Sequence, residues 1–531
     1  MSFNLTSEPW IPVLRDDGTS DRVSLRECFA EADQIRRLSA ELPTQSFAVL
    51  RMLLAIIHDA IGIHWESDLE DMHETGLDLS RVDAYLNEYE DRFDLFHPTR
   101  PFMQVATLRT AKNEASGLEK LISDVPNGDP FLTTRAGTGL ARVDAAEAAL
   151  WLIHCHAFDP SGIRSGAVGD PEVKGGKGYP IGPGWSGQIG GVILHGRHLA
   201  ETLLFNLVPT PESLDDRPVW ARDDVQTERR ELEAQPRGPV DLLAWQSRRI
   251  RLVGDAENGV TGVVLCQGDK VTPQNRQGLE AMTAWRYSRP QSQKFKQAVY
   301  MPLKHDPTRS AWRGAPAVLS RAAAPVDGHE ATLQPTTTRM LKGLDPLGSK
   351  DLSATLELVG MEYGPQEATV AELYHDTLDF RVSLLGEKAA PVVTMIHDAL
   401  VTTDQAVWEL GRLARNLDLA AGGDEKSGVG ATQRTQLAAW SALDVPAREW
   451  LAALTAATDT VEAHRAWQQE VHRALSSEAR KLLTTCSPAA VVGRQTRHGF
   501  MTAGLAESYF HAALRKQLPL LEQPTQRGEE E

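Results

Sequence analysis

From about residue 388 to 518 apolar residues return every three to four positions and prolines are few. Ile396, Leu400, Val407, Leu410, Ala414 and Leu417 make one stripe, the periodicity of a helix that buries a single face. Comparable patterns run over 433–456, 460–485 and 500–518, and a stretch rich in glycine and charge, Ala421 to Gly430, reads as the loop between the first two helices. Four amphipathic helices joined by modest loops bury their stripes most economically against one another, so the spacing predicts an antiparallel four-helix bundle. Upstream the pattern is shorter and mixed. Trp10 to Val13 reads as a strand, and Ser46 to Ala60 as a helix with Phe47, Leu50, Leu54 and Ile57 on one face and Thr44 or Ser46 as its cap. Residues 126–187 are turn-rich around one helix, Val143 to Ala157, with glycine clusters at Gly137 to Gly139, Gly166 to Gly169 and Gly175 to Gly187. Gly190 to Leu194 is strand-like, and Leu199 to Leu207 is helical until Pro209 ends it. Between 240 and 365 the short runs Ile250 to Val253, Val260 to Leu265 and Thr355 to Tyr363 have strand character. The expected fold class is α+β: an irregular mixed N-terminal domain over residues 1–385, then the four-helix bundle over 386–531, ending in the acidic tail Gly528 to Glu531.

Length and composition agree with two domains rather than one, since 531 residues exceed what a single core of about 150 residues organises. With 41% hydrophobic and 24% charged residues, the chain has the balance of a globular protein. The N-terminal MSFNLTSEPWIPV lacks a basic segment followed by an apolar one, and no run of about 18 apolar residues occurs, so a cytoplasmic protein without membrane association is expected. Cys28, Cys155, Cys266 and Cys486 are widely separated, which points to neither a disulfide framework nor a zinc ribbon.

A formal charge of −17 repels a phosphate backbone at long range. The average conceals a basic island: between Lys270 and Arg313 nine Lys and Arg face only Glu280 and Asp306. Trp285, Tyr287, Phe295 and Tyr300 are interleaved with those charges, a mixture suited to phosphates and bases.

Signatures of catalysis are missing from the sequence. Lys174 to Gly178, K-G-G-K-G, is not a phosphate-binding loop, because the pattern would need Gly at Pro171 and Ser or Thr at Gly178. Gly162 to Gly166, G-I-R-S-G, lacks the spacing of a nucleophile elbow. His154 and His156 flank Cys155 on the expected helix, where residues two apart diverge by about 200° and cannot share a metal, so packing is their expected role. Glu70, Asp71, Asp215 and Asp216 read as surface doublets. A chain without catalytic residues, metal or cofactor is therefore expected. What remains is loop chemistry: a turn dense in glycine and carrying lysine brings backbone N–H groups close to a nucleic-acid groove, because no Cβ intervenes.

Read in order, several segments resemble the CasA family, the large subunit of Cascade, the type I-E CRISPR surveillance complex. They are E-P-W-I-P-V (Glu8 to Val13), R-P-F-M-Q (Arg100 to Gln104), F-L-T-T-R-A-G (Phe131 to Gly137), K-G-G-K-G-Y (Lys174 to Tyr179) and L-E-L-V-G-M-E-Y-G-P-Q (Leu356 to Gln366), with residues 210–340 matched poorly. The resemblance implies a subunit without an active site that reads the protospacer-adjacent motif of double-stranded target DNA beside the 5′ handle of the guide RNA. It implies the other Cascade subunits as partners, namely the backbone, the small subunit and the handle-end subunit, and a recruited helicase-nuclease that cuts. By the same resemblance Gly175, Gly176, Lys177 and Gly178 form a glycine loop facing the minor groove, and Gln366, supported by Pro365 and Gly364, is a wedge that separates the first base pair. Phe131, Leu132 and Thr133 anchor the chain at the guide handle. The family's basic finger has two candidates, Arg276 with its neighbour Asn275, or Lys270. A metal-dependent nuclease and a purely architectural subunit are the alternatives from other functional classes.

Overall fold

In this computed structural model, residues 2–123, 125, 140–213, 215–223, 235–319, 325–343, 352–497 and 499–521 are described. The chain divides into two units: Met1–Ala311 with Ala323–Ser349 and Ala354–Thr377, and Trp312–Ala322 with Lys350–Ser353 and Leu378–Glu531. The mixture of helices, small sheets and a helical C-terminal region is the α+β composition that the patterning predicts.

The larger unit is organised around helix Pro43–Ile61, which is buried over most of its circumference, from Phe47 through Ile57. By length and composition it could cross a membrane, yet 78% of its most apolar window is buried inside the protein. Helix Ala145–Phe158 packs beside it, capped by Asp144, whose carboxylate accepts from the Glu147 amide at 2.7 Å. Among the described residues there are three three-stranded sheets. Ile11–Arg15 lies between Ser20–Val23 and Ile35–Leu38, Ser353–Tyr363 lies between Val370–Arg381 and Gly191–His195, and Trp285–Tyr287 lies between Tyr300–Pro302 and Thr332–Leu333. Two hairpins complete the unit: Arg248–Asp255 with Gly259–Gln267, and Arg164–Ser165 with Lys177–Gly178. The strand Val370–Arg381 escaped the sequence reading because its alternation is weak, with exposed or half-buried side chains between Val370, Tyr374, Leu378 and Phe380. Helices Glu66–Thr75 and Leu79–Glu88 escaped it too, each burying only two or three side chains.

Two of the landmark motifs are packing motifs. Trp10 is fully buried and its indole N–H donates to the Leu5 carbonyl at 3.0 Å. Phe102 stacks on Phe93 and Trp220 with centroids 5.3 and 5.6 Å away, while Gln104 ties the backbone at Leu95 and Leu252 together. Burying an aromatic ring and satisfying buried backbone polar groups are each costly to undo.

The helical unit is built on Ala390–Ala421, against which Glu425–Ala453, Thr460–Thr485 and Ala503–Gln517 all pack. The second helix begins at Glu425, capped by Asp424, inside the stretch read as a loop. Gly428 and Gly430 are helical, and the reason for small residues here is closeness: a Cβ at Gly428 would stand 3.1 Å from Arg415 Cγ, and one at Gly411 would stand 2.9 Å from Thr432 Cγ2. Glycine at these positions admits a neighbouring helix. The unit also takes in Trp312, whose ring is fully buried 5.8 and 6.0 Å from those of Trp440 and Trp467, and whose indole N–H donates to Asp444 at 2.9 Å. A segment far upstream of residue 386 thus supplies a core residue of the C-terminal unit.

Candidate nucleic-acid interface

The glycine-rich stretch is the tip of a hairpin. Ser165 faces Lys177 and Arg164 faces Gly178, and the amide and carbonyl of Lys174 exchange hydrogen bonds of 3.1 Å with Lys177. That closure leaves Gly175 and Gly176 as the two central residues, at φ +59° and +74°. Positive φ at both is the tight turn whose twist matches a hairpin, and glycine adopts it without strain. A Cβ at either would meet nothing within 4 Å, and Lys174, Gly175, Gly176 and Lys177 are all exposed. Gly178 departs from the expected loop: it is buried in the strand, where a Cβ would come within 2.9 Å of Gln267 Cγ. Its glycine is there for packing, not for contact with a ligand.

Gln366 sits at the tip of the hairpin joining Ser353–Tyr363 to Val370–Arg381. It and Glu367 hold φ of 59° and 57°, an uncommon conformation for residues with a Cβ. The turn is closed by the Gly364 amide on the Thr369 carbonyl and the Glu367 amide on the Gly364 carbonyl, both 2.9 Å, while Pro365, Gln366 and Glu367 are exposed. At its base Tyr363 is buried, its hydroxyl donating to the Phe158 carbonyl at 2.7 Å. Gly187 is obligatory beneath that ring, since a Cβ there would lie 2.0 Å from the Tyr363 hydroxyl.

Both turns hang on one short segment. The Glu367 carbonyl accepts from the Ser161 amide at 2.8 Å, and four residues later Ser165 pairs with Lys177. Four residues span at most about 14 Å, which bounds the separation of the two attachment points. The segment is anchored by Asp159, which accepts from Arg164 Nη2 at 2.7 Å and from Arg248 Nε. Burial raises the Asp159 carboxyl, but the two guanidiniums outweigh it and hold the group below its ordinary range, so it stays ionised.

The basic candidates fare differently. Arg276 folds back on its own turn, donating to the Thr272 carbonyl and hydroxyl at 3.0 Å, and Asn275 is locked to strand Tyr300–Pro302, its side chain accepting from the Tyr300 amide at 2.8 Å. Lys270 is exposed. Lys304, which nothing local in the sequence distinguished within the basic island, stands beside the glutamine hairpin, 5.8 Å over the Tyr363 ring and 3.9 Å from the Glu367 carboxylate. The island is divided between the two units, with Arg313 in the helical one. Trp285 is buried at 1% exposure, Tyr287 and Tyr300 pack edge to face at 5.9 Å, and Arg313 lies over Trp440 in the helical unit. Phe131, Leu132 and Thr133 lie outside the described residues.

The two histidines of helix Ala145–Phe158 have structural partners. His154 Nε2 meets Thr44 Oγ1 and His156 Nε2 meets the Met103 carbonyl, both at 2.9 Å, and burial lowers the two imidazoles to about 3 and about 4. Asp216 is not the surface residue the sequence suggested: it is buried and accepts from the Val240 and Asp241 amides at 3.2 and 2.8 Å, capping helix Pro239–Leu243. Among the described residues no three His, Cys, Asp or Glu side chains group so as to hold a metal ion.

Known proteins give this geometry a context. A family model described as CRISPR-associated protein Cse1 matches residues 4–477. The crystal structure of Thermobifida fusca Cse1 superposes with a TM-score of 0.88 at 42% identity, covering 98% of each chain. A CRISPR-associated protein CasA/Cse1 of Thermus thermophilus is 29% identical over 443 residues, covering 81% of this chain and 80% of the relative. The fold recurs at 17% identity, with a TM-score of 0.67 over 91% of this chain and 99% of the other, in a structure of a CRISPR RNA-guided surveillance complex.

Proposed function

The chain belongs to the CRISPR-associated Cse1 family, and from that membership we propose that it is the non-catalytic large subunit of a type I-E Cascade complex, which inspects double-stranded DNA for a protospacer-adjacent motif. In this reading the glycine hairpin enters the minor groove of the motif, Gln366 wedges the first base pair open, and the freed strand seeds pairing with the guide RNA. The helical unit, read as the family's four-helix bundle, holds the opened DNA and supports recruitment of the helicase-nuclease. The other Cascade subunits and the guide handle are its partners in the cytoplasm.

One observation carries the reading: two exposed turns of different chemistry, one without side chains and one tipped by an amide, spring from a single short segment. A minor groove about 6 Å wide admits a bare backbone turn, and its donor and acceptor pattern is degenerate, which suits tolerant motif reading. Inserting a side chain into stacked bases costs a few kcal/mol, with about 1.4 kcal/mol per step for opening the duplex, so a wedge needs a stiff support. Tyr363 and the hydrogen bonds across Gly364 to Thr369 supply it. For the basic finger, Lys270 is exposed while Arg276 is engaged in its own turn and Asn275 is held by strand Tyr300–Pro302, and Lys304 stands as a cation beside the wedge.

The test is target binding by guide-loaded complex at fixed salt, with and without this chain, across variant motifs. Omitting the chain should abolish motif dependence, and Gln366→Ala should weaken binding of intact duplex more than of a target already unpaired at the first positions. Motif dependence that survives without the chain refutes the reading. Incubation with labelled duplex and Mg²⁺ or Mn²⁺ covers the nuclease alternative, for which cleavage abolished by a point substitution in this chain is the diagnostic result.

A further inference from the structure

We propose that Asp159, clamped between Arg164 and Arg248, is a positioning residue that sets the glycine hairpin and the glutamine hairpin in one fixed relation, so that the two turns engage DNA as a single unit. The inference rests on the reading above and adds to it a shared mechanical root that neither turn has by itself.

Arg248 is fully buried, and its Nη2 donates to the carbonyls of Asp159, Pro160 and Gly182 at 3.1, 3.0 and 2.9 Å. The chain therefore leaves this guanidinium at residue 160 and returns to it at residue 182, and the glycine hairpin is the excursion between. Asp159 completes the clamp by holding both Arg248 Nε and the Arg164 guanidinium. Arg164 is itself the strand residue paired with Gly178, and its Nη2 also donates to the Pro160 carbonyl at 2.8 Å. The glutamine hairpin attaches to either side of the same residue: Tyr363 to the Phe158 carbonyl at 2.7 Å, and Glu367 to the Ser161 amide at 2.8 Å. A carboxylate buried between two guanidiniums has a narrow range of acceptable geometries, because its single oxygen Oδ2 must keep the hydrogen bonds from Arg164 Nε and Nη2 and from Arg248 Nε in a medium that screens poorly. Moving Asp159 shifts the attachment points of both turns at once.

The experiment uses the guide-loaded complex and two variants, Asp159→Asn and the milder Arg164→Gln, whose side chain is partly accessible. Each is measured on intact duplex carrying the motif and on the same target with the first positions already unpaired, alongside assembly and the thermal midpoint. Misplacement of a reading element by about 1 Å is worth up to about 100-fold, so affinity for intact duplex should fall at least about tenfold while the unpaired target changes by less than about threefold. A merely structural role lowers both targets together, following the loss of folded chain, and that result overturns the proposal, as does binding of both targets unchanged from the parent. If Asp159→Asn fails to assemble, Arg164→Gln decides by the same ratio. Coupling is read by adding Gln366→Ala to Arg164→Gln: the combined loss should be smaller than the product of the two single losses, and multiplicative losses refute a shared root. Gln366→Ala and Gly176→Asp alone report on the underlying reading. If both bind like the parent, the reading fails; if both are impaired while Arg164→Gln is not, only the inference fails.

Discussion

Placing a carboxylate at the bare turn, Gly176→Asp, separates contact with DNA from the stability of the chain. Gly176 has φ +74° and a Cβ there would meet nothing within 4 Å, so the new side chain points into open space. Aspartate tolerates this backbone region better than most residues, and the strain is at most about 1 to 2 kcal/mol, confined to an exposed turn. The carbonyl of Gly176 still accepts from the Gly166 amide at 2.9 Å. In a groove the same change is expensive. A negative charge about 5 Å from a phosphate costs roughly 0.8 kcal/mol at the dielectric of water and roughly 3 kcal/mol at an effective dielectric of 20. Holding the backbone off the groove removes about 1 kcal/mol more for each lost hydrogen bond. The expected penalty of about 2 to 4 kcal/mol corresponds to roughly 30- to 1,000-fold in Kd. Titration of labelled motif duplex with assembled complex reads it, with the thermal midpoint as the folding control. Gly176→Asn, which has the same shape without the charge, should lose only part of this affinity, and the difference between the two should shrink as salt is raised. Binding by Gly176→Asp within about twofold of the parent, at an unchanged midpoint, would refute the claim that this turn contacts DNA.

Two further predictions concern the larger unit. Burial holds His58, His156 and His305 at about 4 and His154 at about 3, all below the ordinary 6.5, so the unfolded chain binds protons that the native chain excludes. Their contribution is complete above about pH 6.5 and is lost as pH falls toward 4, with a slope approaching about 1.4 kcal/mol per pH unit for each imidazole; denaturant midpoints measured from about pH 7 down to pH 5 should decline, and a flat profile contradicts the buried neutral assignment. Glu280 is buried against Arg51 at 2.9 Å and accepts from the Trp185 indole at 2.6 Å and the Met282 amide at 3.0 Å. Glu280→Gln leaves a buried guanidinium without its countercharge and should cost about 3 to 5 kcal/mol, visible as a lowered thermal midpoint, whereas a shift under about 1 kcal/mol would show that the site relaxes or admits water.

Much of the architecture was legible because periodicity reports which face of an element is buried. The stripe from Ile396 to Leu417 marks helix Ala390–Ala421, and the apolar runs at Ile250, Val260 and Thr355 mark strands that the structure contains. Periodicity does not report what lies opposite that face. Trp312, among residues with little pattern of their own, sits in the C-terminal unit beside Trp440 and Trp467. The basic island likewise divides once the chain folds, since Trp285 turns inward while Arg313 belongs to the helical unit and covers the Trp440 ring there.

Glycine marks the division most clearly. Composition along the chain determined that residues 175 to 178 could not present a continuous wall of side chains, and that Gln366 followed a proline at the end of a strand. Only the tertiary structure decided that Gly175 and Gly176 are an exposed turn while Gly178, Gly411 and Gly428 make room for neighbours. It alone brought Ser161, Glu367 and Arg248 together around Asp159. The physical reason is that local preference acts through a residue's own dihedral angles and near neighbours, whereas close approach and buried charge pairing depend on segments as far apart as the 229 residues between Arg51 and Glu280, whose position exists only once the chain has folded.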